Sequence, residues 1–277
     1  MNGMYNNVNR KIWNIWSKGG ERYRVDSDRP LYVVTGFPRS GTSFLSRLVS
    51  LCGVSFGEES DLKAGRSINP HGFFENRRFF ELVDAMLLEA GFKNSYAIPK
   101  GASLNAKGSY RRIKRMVTRI RMTRFLEDSQ GRGADFGVKI TPLALHLLRP
   151  HVQRMKVIGV FRDPHASVYS NTKIFGKGQP FSVMMEHWKE TNKELLYHLA
   201  VNESILVSFD DLFNEKRTSA ILEKLSRFIG GGDVAELNKV RDPSLYKQSS
   251  ELKELRRIYP LDGETKEIFD ALERAKV

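Results

Sequence analysis

The stretch Leu31-Tyr32-Val33-Val34-Thr35-Gly36-Phe37-Pro38-Arg39-Ser40-Gly41-Thr42-Ser43 decides how this chain is read. Five β-favouring residues end at a glycine, and a second glycine precedes a helical pattern with Phe44, Leu45, Leu48, Val49 and Cys52 on one side. Strand, glycine-rich turn and helix together make an anion cradle, because the N–H groups of the turn and the positive end of the helix dipole face one point. The skeleton Gly36-x-x-x-x-Gly41 is that of a Walker A loop, which continues with Lys and then Ser or Thr. Here Thr42 stands at the lysine place, Ser43 follows, and the cation lies inside the loop at Arg39. A kinase or ATPase needs that lysine against the β- and γ-phosphates and a metal on the next hydroxyl. Arg39 instead offers forked donors that clamp an anion without a metal.

Outward from this loop, β-rich runs recur at residues 136–140, 156–161 and 205–209, and helical patterns at 75–90, 164–172, 182–200, 216–229 and 264–275. Strands separated by helices imply an α/β fold: a P-loop NTPase-like three-layer sandwich with a central, mostly parallel β-sheet flanked by helices. Ligands of such sheets lie beyond the C-terminal strand ends, so the segments after Thr35 and Phe161 are the places for a site. Residues 1–29, with Trp13 and Trp16, read as an arm or docking helix, and 30–277 as a single domain.

Composition narrows the classes. Forty per cent of the 277 residues are apolar, enough for a packed core. The single cysteine, Cys52, excludes an internal disulfide and fits a reducing, cytoplasmic setting. Six histidines without a close ligand pair point to no metal site. No apolar run is long enough to span a membrane, and the N-terminal stretch lacks the apolar segment of a secretory signal. A net charge of +13 favours anionic partners: nucleotides, acidic glycans, anionic lipids or nucleic acid. No specific nucleic-acid motif accompanies the charge.

After the strand at 156–161 comes Arg162-Asp163-Pro164-His165-Ala166-Ser167-Val168-Tyr169-Ser170. Arg162 leaves the sheet at its ligand end and Ser170 lies two turns into the next helix, so the pair suits a second phosphate; alternatively, Arg162 and Asp163 form a surface ion pair. Here the chain resembles the sulfotransferase superfamily. Pro38-Arg39-Ser40-Gly41-Thr42-Ser43 resembles its 5′-phosphosulfate loop, and Arg162 with Ser170, eight apart, resembles its 3′-phosphate site. Asn69-Pro70-His71-Gly72-Phe73-Phe74-Glu75 and Phe209-Asp210-Asp211-Leu212 resemble further segments of bacterial members, in the family's order. The late glycine-rich loop of the cytosolic animal enzymes is not found, although Pro243-Ser244-Leu245-Tyr246-Lys247 resembles a short late segment of bacterial relatives. The resemblance implies 3′-phosphoadenosine 5′-phosphosulfate (PAPS) as donor, 3′-phosphoadenosine 5′-phosphate (PAP) as product, and metal-free transfer to a hydroxyl or amine. Pro38, Arg39, Ser40, Gly41, Thr42, Ser43, Arg162 and Ser170 are then the donor-binding residues.

Arg39 also suits catalysis, because charge grows on the leaving oxygen. A hydroxyl acceptor needs a base. Glu59, in Gly57-Glu58-Glu59-Ser60, resembles the base-bearing stretch of tyrosylprotein sulfotransferases. Glu75 competes, with aromatic neighbours expected to raise its pKa; His71 is third. Lys139 reads as a surface lysine at a strand end or as a residue of the cleft. The stretch 111–124 carries seven cations and no acid, with Ile113, Met116, Val117 and Ile120 at helical spacing. It reads as a basic amphipathic helix whose apolar stripe packs on the core, or as a docking face for an acidic glycan or anionic membrane. Acceptor choice falls to loops at 61–68 and 94–110, and the acceptor is expected to be a glycan, lipid or other hydroxyl compound. A P-loop kinase or nucleotidase is the alternative function.

Overall fold

The structure is a computed structural model that describes residues 23–25, 27–65, 72–90, 108–175, 180–241 and 251–277. Most of the N-terminal arm, His71, the segment 243–247 and most of the proposed acceptor loops lie outside the described residues. The order of elements is β1 (Leu31–Thr35), α1 (Thr42–Leu51), α2 (Arg77–Ala90), α3 (Gly108–Gln130), β2 (Gly137–Ile140), β3 (Met155–Phe161), α4 (Pro164–Phe175), α5 (Phe181–Val201), β4 (Glu203–Ser208), α6 (Glu215–Ile229), α7 (Val234–Lys239), α8 (Glu251–Ile258) and α9 (Gly263–Ala275). Short 3-10 turns occupy Glu59–Asp61, Pro142–Leu147 and Asp211–Phe213. Helices α7 and α8 escape the sequence pattern because six or eight residues hold too few turns to show a periodicity.

The strands form one parallel sheet in the order β2-β1-β3-β4, and the chain is of the expected α/β class. Strands β1 and β2 are buried along their whole length, as parallel strands covered on both faces must be. Strand β1 has β2 on one side and β3 on the other, so the chain reverses direction across it. That makes β1 the topological switch point of the sheet, the position at which open α/β sheets in general bind ligands.

Contacts group the chain into two compact units, Met1–Val33 with Ser55–Lys156 and Val34–Val54 with Val157–Val277. In the first, α2 and α3 share a core in which the Phe79 and Phe125 rings are 5.7 Å apart and Phe125 meets Phe136 at 5.9 Å. Residues Tyr23 and Val25 are tied to this unit: Thr123 donates to the Tyr23 carbonyl at 2.7 Å and Val25 N–H to the His151 carbonyl at 2.8 Å. Burial, helped by the Arg119 charge, pushes the His151 imidazole down to about 4. In the second unit, Phe37, Phe161, Val168, Trp188, Leu195, Leu206 and Leu272 make one buried cluster. Lys189, 4% exposed, is held at the junction of α5 and α9 by Glu186 at 2.6 Å and by Asp262 and Glu264, each at 3.2 Å.

Helix α3 is longer than the basic stretch and turns a different side to the core than its apolar spacing suggests. Thr118, Arg119, Met122, Phe125 and Leu126 are buried, whereas Met116 and Val117 are 46% and 37% exposed. The aromatic core of α2 recruits the Met122–Phe125–Leu126 stripe, Ile120 is half-buried, and Met116 and Val117 of the stripe read from the sequence are left outside. Among the described residues no helix is long and apolar enough to cross a membrane.

Candidate functional site

The loop after β1 lies wholly in the second unit and is built from two close approaches and one unusual backbone angle. A Cβ on Gly36 would meet the Val160 carbonyl oxygen at 2.3 Å, and one on Gly41 would sit 2.1 Å from the Phe209 ring. Gly41 also has φ +96°. Neither position accepts a side chain, and Gly41 needs the left-handed backbone that glycine alone adopts freely. Between them the chain turns on Ser40 N–H donating to the Phe37 carbonyl at 3.1 Å. Arg39, at the apex with Pro38, has φ +71°. A non-glycine residue held in that region implies a surrounding structure that over-determines it, as functional loops do.

Helix α1 starts directly on this turn, with Gly41 as its N-cap, Thr42 and Ser43 in its first turn and no acid there. Its dipole therefore presents uncompensated positive potential to the loop. The Ser40 side chain is fully buried, and its hydroxyl has no hydrogen-bond partner among the described residues.

The segment after β3 meets this loop. The Arg39 guanidinium Nε donates to the Ser170 hydroxyl on α4 at 3.2 Å. Arg162 is 9% exposed and pairs not with its neighbour Asp163 but with Asp210, at 3.7 Å. The surface Arg162–Asp163 pair is thereby corrected: Asp163 is the N-cap of α4, where it accepts from Ala166 N–H at 2.9 Å, and it takes Arg256 at 3.0 Å. Pro164 follows at the first helical position, where its missing N–H costs nothing. The Phe209 ring is close to both segments, packed against Gly41 and 5.0 Å from the Arg162 guanidinium carbon. The resemblance of Phe209-Asp210-Asp211-Leu212 to the family's acidic turn is the signal in the sequence for Phe209 and Asp210, and it assigns neither a role.

The carboxylate candidates lie in the first unit. The segment bearing Glu59 runs beside the segment bearing Glu75: Leu62 bridges Asn76, Lys63 N–H donates to the Glu75 carbonyl at 2.9 Å, and Gly57 leaves no room for a Cβ against the Asn76 amide at 2.6 Å. Glu59 itself is exposed at the start of its 3-10 turn. Glu75 is 6% exposed and is held on both oxygens, by Lys139 at 2.9 Å and Lys63 at 2.9 Å. Burial pushes its carboxyl up, but the two ammonium groups outweigh burial and hold it below the ordinary value. The expected upward shift is corrected accordingly: the aromatic neighbours are present, with Phe56 and Phe74 rings 5.8 Å apart and Lys63 stacked 3.2 Å over Phe80, but the charges decide the sign. Lys139, 8% exposed, is a buried counter-ion and not a surface lysine. Phe74, beside Glu75, is the other non-glycine residue with positive φ, +52°, among the described residues.

No family model matches this chain, and no curated protein matches it. Solved structures do. The sulfotransferase domain of the Synechococcus PCC 7002 olefin synthase is 17% identical with a TM-score of 0.48, covering 91% of this chain and 96% of that one. The sulfotransferase domain from the curacin biosynthetic pathway is 15% identical with a TM-score of 0.46, covering 88% and 97%. Mouse sulfotransferase SULT7A1 complexed with PAP is 8% identical with a TM-score of 0.42, covering 93% and 87%.

Proposed function

We propose that this protein transfers a sulfuryl group from PAPS to a hydroxyl of an acceptor, with a glycan or lipid as the acceptor class its basic charge favours. One observation carries the reading: the Arg39–Ser170 hydrogen bond joins the loop after β1 to the segment after β3, so two anion-binding segments converge as a donor with phosphates at both ends of its ribose requires. The residues present fit such a donor. The unsatisfied Ser40 hydroxyl is an acceptor and donor without a partner in a buried cradle, a state that costs about 1–3 kcal/mol until an oxyanion or other polar group meets it.

Arg39, the loop N–H groups and the α1 dipole hold the 5′-phosphosulfate, and Arg162 with Ser170 holds the 3′-phosphate. The acceptor oxygen attacks sulfur in line, the bond from sulfur to the bridging phosphate oxygen breaks, and its electron pair leaves with PAP. Arg39 stabilises that growing charge, at about 3 kcal/mol for one such donor. The acceptor proton goes to a carboxylate. Glu59 is assigned this role because it is exposed and has no counter-ion among the described residues, unlike Glu75. Glu75, ionised and saturated by two ammonium groups, serves as the anchor that fixes Lys63 and Lys139. Thr42 supplies no charge to a γ-phosphate, so the protein's own guanidinium takes the part that a metal plays in P-loop kinases.

Adenosine 3′,5′-bisphosphate should raise the melting temperature of the intact protein, and Arg39→Ala or Arg162→Ala should remove most of that shift. No shift with the wild-type chain would sink the reading, and magnesium-dependent ATP hydrolysis would replace it with the kinase or nucleotidase alternative. Glu59→Gln should abolish turnover while bisphosphate binding survives; near-normal turnover would pass the base role to Glu75 or His71.

A further inference from the structure

We infer that the solvent face of α3 is a docking surface for an anionic lipid bilayer. Lys114, Val117, Arg121 and Arg124 are all exposed and follow one another at spacings of three, four and three, which is one face of a helix. Met116 borders that face and is 46% exposed, and Val117 is 37% exposed. The acids of α3 begin only at Glu127, beyond the patch.

These apolar residues are not a displaced piece of the core. Helix α3 already buries Thr118, Arg119, Met122, Phe125 and Leu126 on its other side. A soluble polyanion would use the cations alone and leave two apolar side chains in water. A bilayer surface uses both: apolar side chains enter the boundary between headgroups and acyl chains, while the cations meet anionic headgroups. Two apolar residues bury little area, so neutral lipid does not hold the protein, and attraction of about 1 kcal/mol for each basic residue supplies the rest. The net charge of +13 acts in the same direction at longer range.

The test is co-sedimentation of the full chain with phosphatidylcholine vesicles, with and without phosphatidylserine, alongside binding to a soluble sulfated polysaccharide. It is independent of the sulfuryl-transfer reading, because it needs no donor. Binding should require phosphatidylserine and weaken with salt. Reversing Arg121 and Arg124 to Glu should cut partitioning at least about 25-fold, about fivefold for each charge lost. Met116→Ser with Val117→Ser should weaken vesicle binding several-fold and leave polysaccharide binding unchanged; circular dichroism of these exposed-site variants checks that they fold. Absence of binding to phosphatidylserine vesicles would overturn the assignment. So would tight polysaccharide binding together with vesicle binding indifferent to Met116 and Val117, which would give the face to an acidic glycan.

Discussion

Arg39 and Ser170, 131 positions apart in the chain, are joined by a hydrogen bond from the Arg39 Nε to the Ser170 hydroxyl at 3.2 Å. If this link aligns the two ends of a nucleotide site, the residues act as a pair. Ser170→Ala should weaken adenosine bisphosphate binding about tenfold, and Arg39→Ala about a hundredfold, the range for hydrogen bonds to charged groups. The double variant should lose less than the sum, because each single change already breaks the shared contact. Titration calorimetry measures all three, and strict additivity would show the two positions to be independent.

Gly41 is predicted to be intolerant of any side chain. Alanine there takes a left-handed backbone, at about 1–2 kcal/mol, and drives a methyl group into the Phe209 ring, at about 1–3 kcal/mol more. Urea denaturation of Gly41→Ala should show a loss of roughly 2–5 kcal/mol. Phe209→Leu in the same chain should recover only the packing part. A loss below about 1 kcal/mol would mean the loop relaxes away from the ring.

The Glu75 cluster makes stability depend on acid. Its carboxyl is held below the ordinary value of 4.5, so its contribution is complete above that pH and is lost as pH falls through the lower folded value. Glu75→Gln leaves two ammonium groups, one of them 8% exposed, around a neutral amide, which should cost about 3–5 kcal/mol at pH 7. As pH falls through that lower folded value the wild type loses the same charge, and the gap between the two proteins should close. Denaturation midpoints from pH 7 down to pH 3 test this, and a gap that does not change with pH would remove Glu75 from the acid response.

Asp163 sits at the start of the helix that carries Ser170. Asp163→Ala should cost about 1 kcal/mol through loss of the cap to Ala166, a fall in melting temperature of about 2–4 °C for a chain of this size. Asp163→Asn keeps a capping oxygen and should retain most of the stability, losing only the exposed pairing with Arg256. Equal effects of the two changes would place the contribution in the ion pair.

Local patterns were readable wherever they are dictated by neighbours in sequence. The run at Leu31–Thr35, the glycines at 36 and 41 and the start of α4 at Pro164 each follow from side-chain shape and backbone freedom over a few residues, and the structure has all three. The parallel sheet followed from the alternation of elements. Contacts over long range were not readable. Arg162 beside Asp163 looks like a surface pair, and only the arrival of Asp210 from the next strand end redirects it. In α3, two apolar stripes compete, and the sequence does not say which one a partner helix will cover.

The sequence by itself determined the class of fold and the strand–turn–helix build of the loop at 36–43 with Arg39 inside it, because strand, turn and helix signals are local and Thr42 replaces the lysine within the same few residues. Tertiary structure decided the state of Glu75. Aromatic neighbours alone raise a carboxyl, and Lys63 and Lys139, 12 and 64 positions away, reverse the shift by standing 2.9 Å from its two oxygens. Charge acts through space with a strength set by distance and burial, and neither is written in the order of residues.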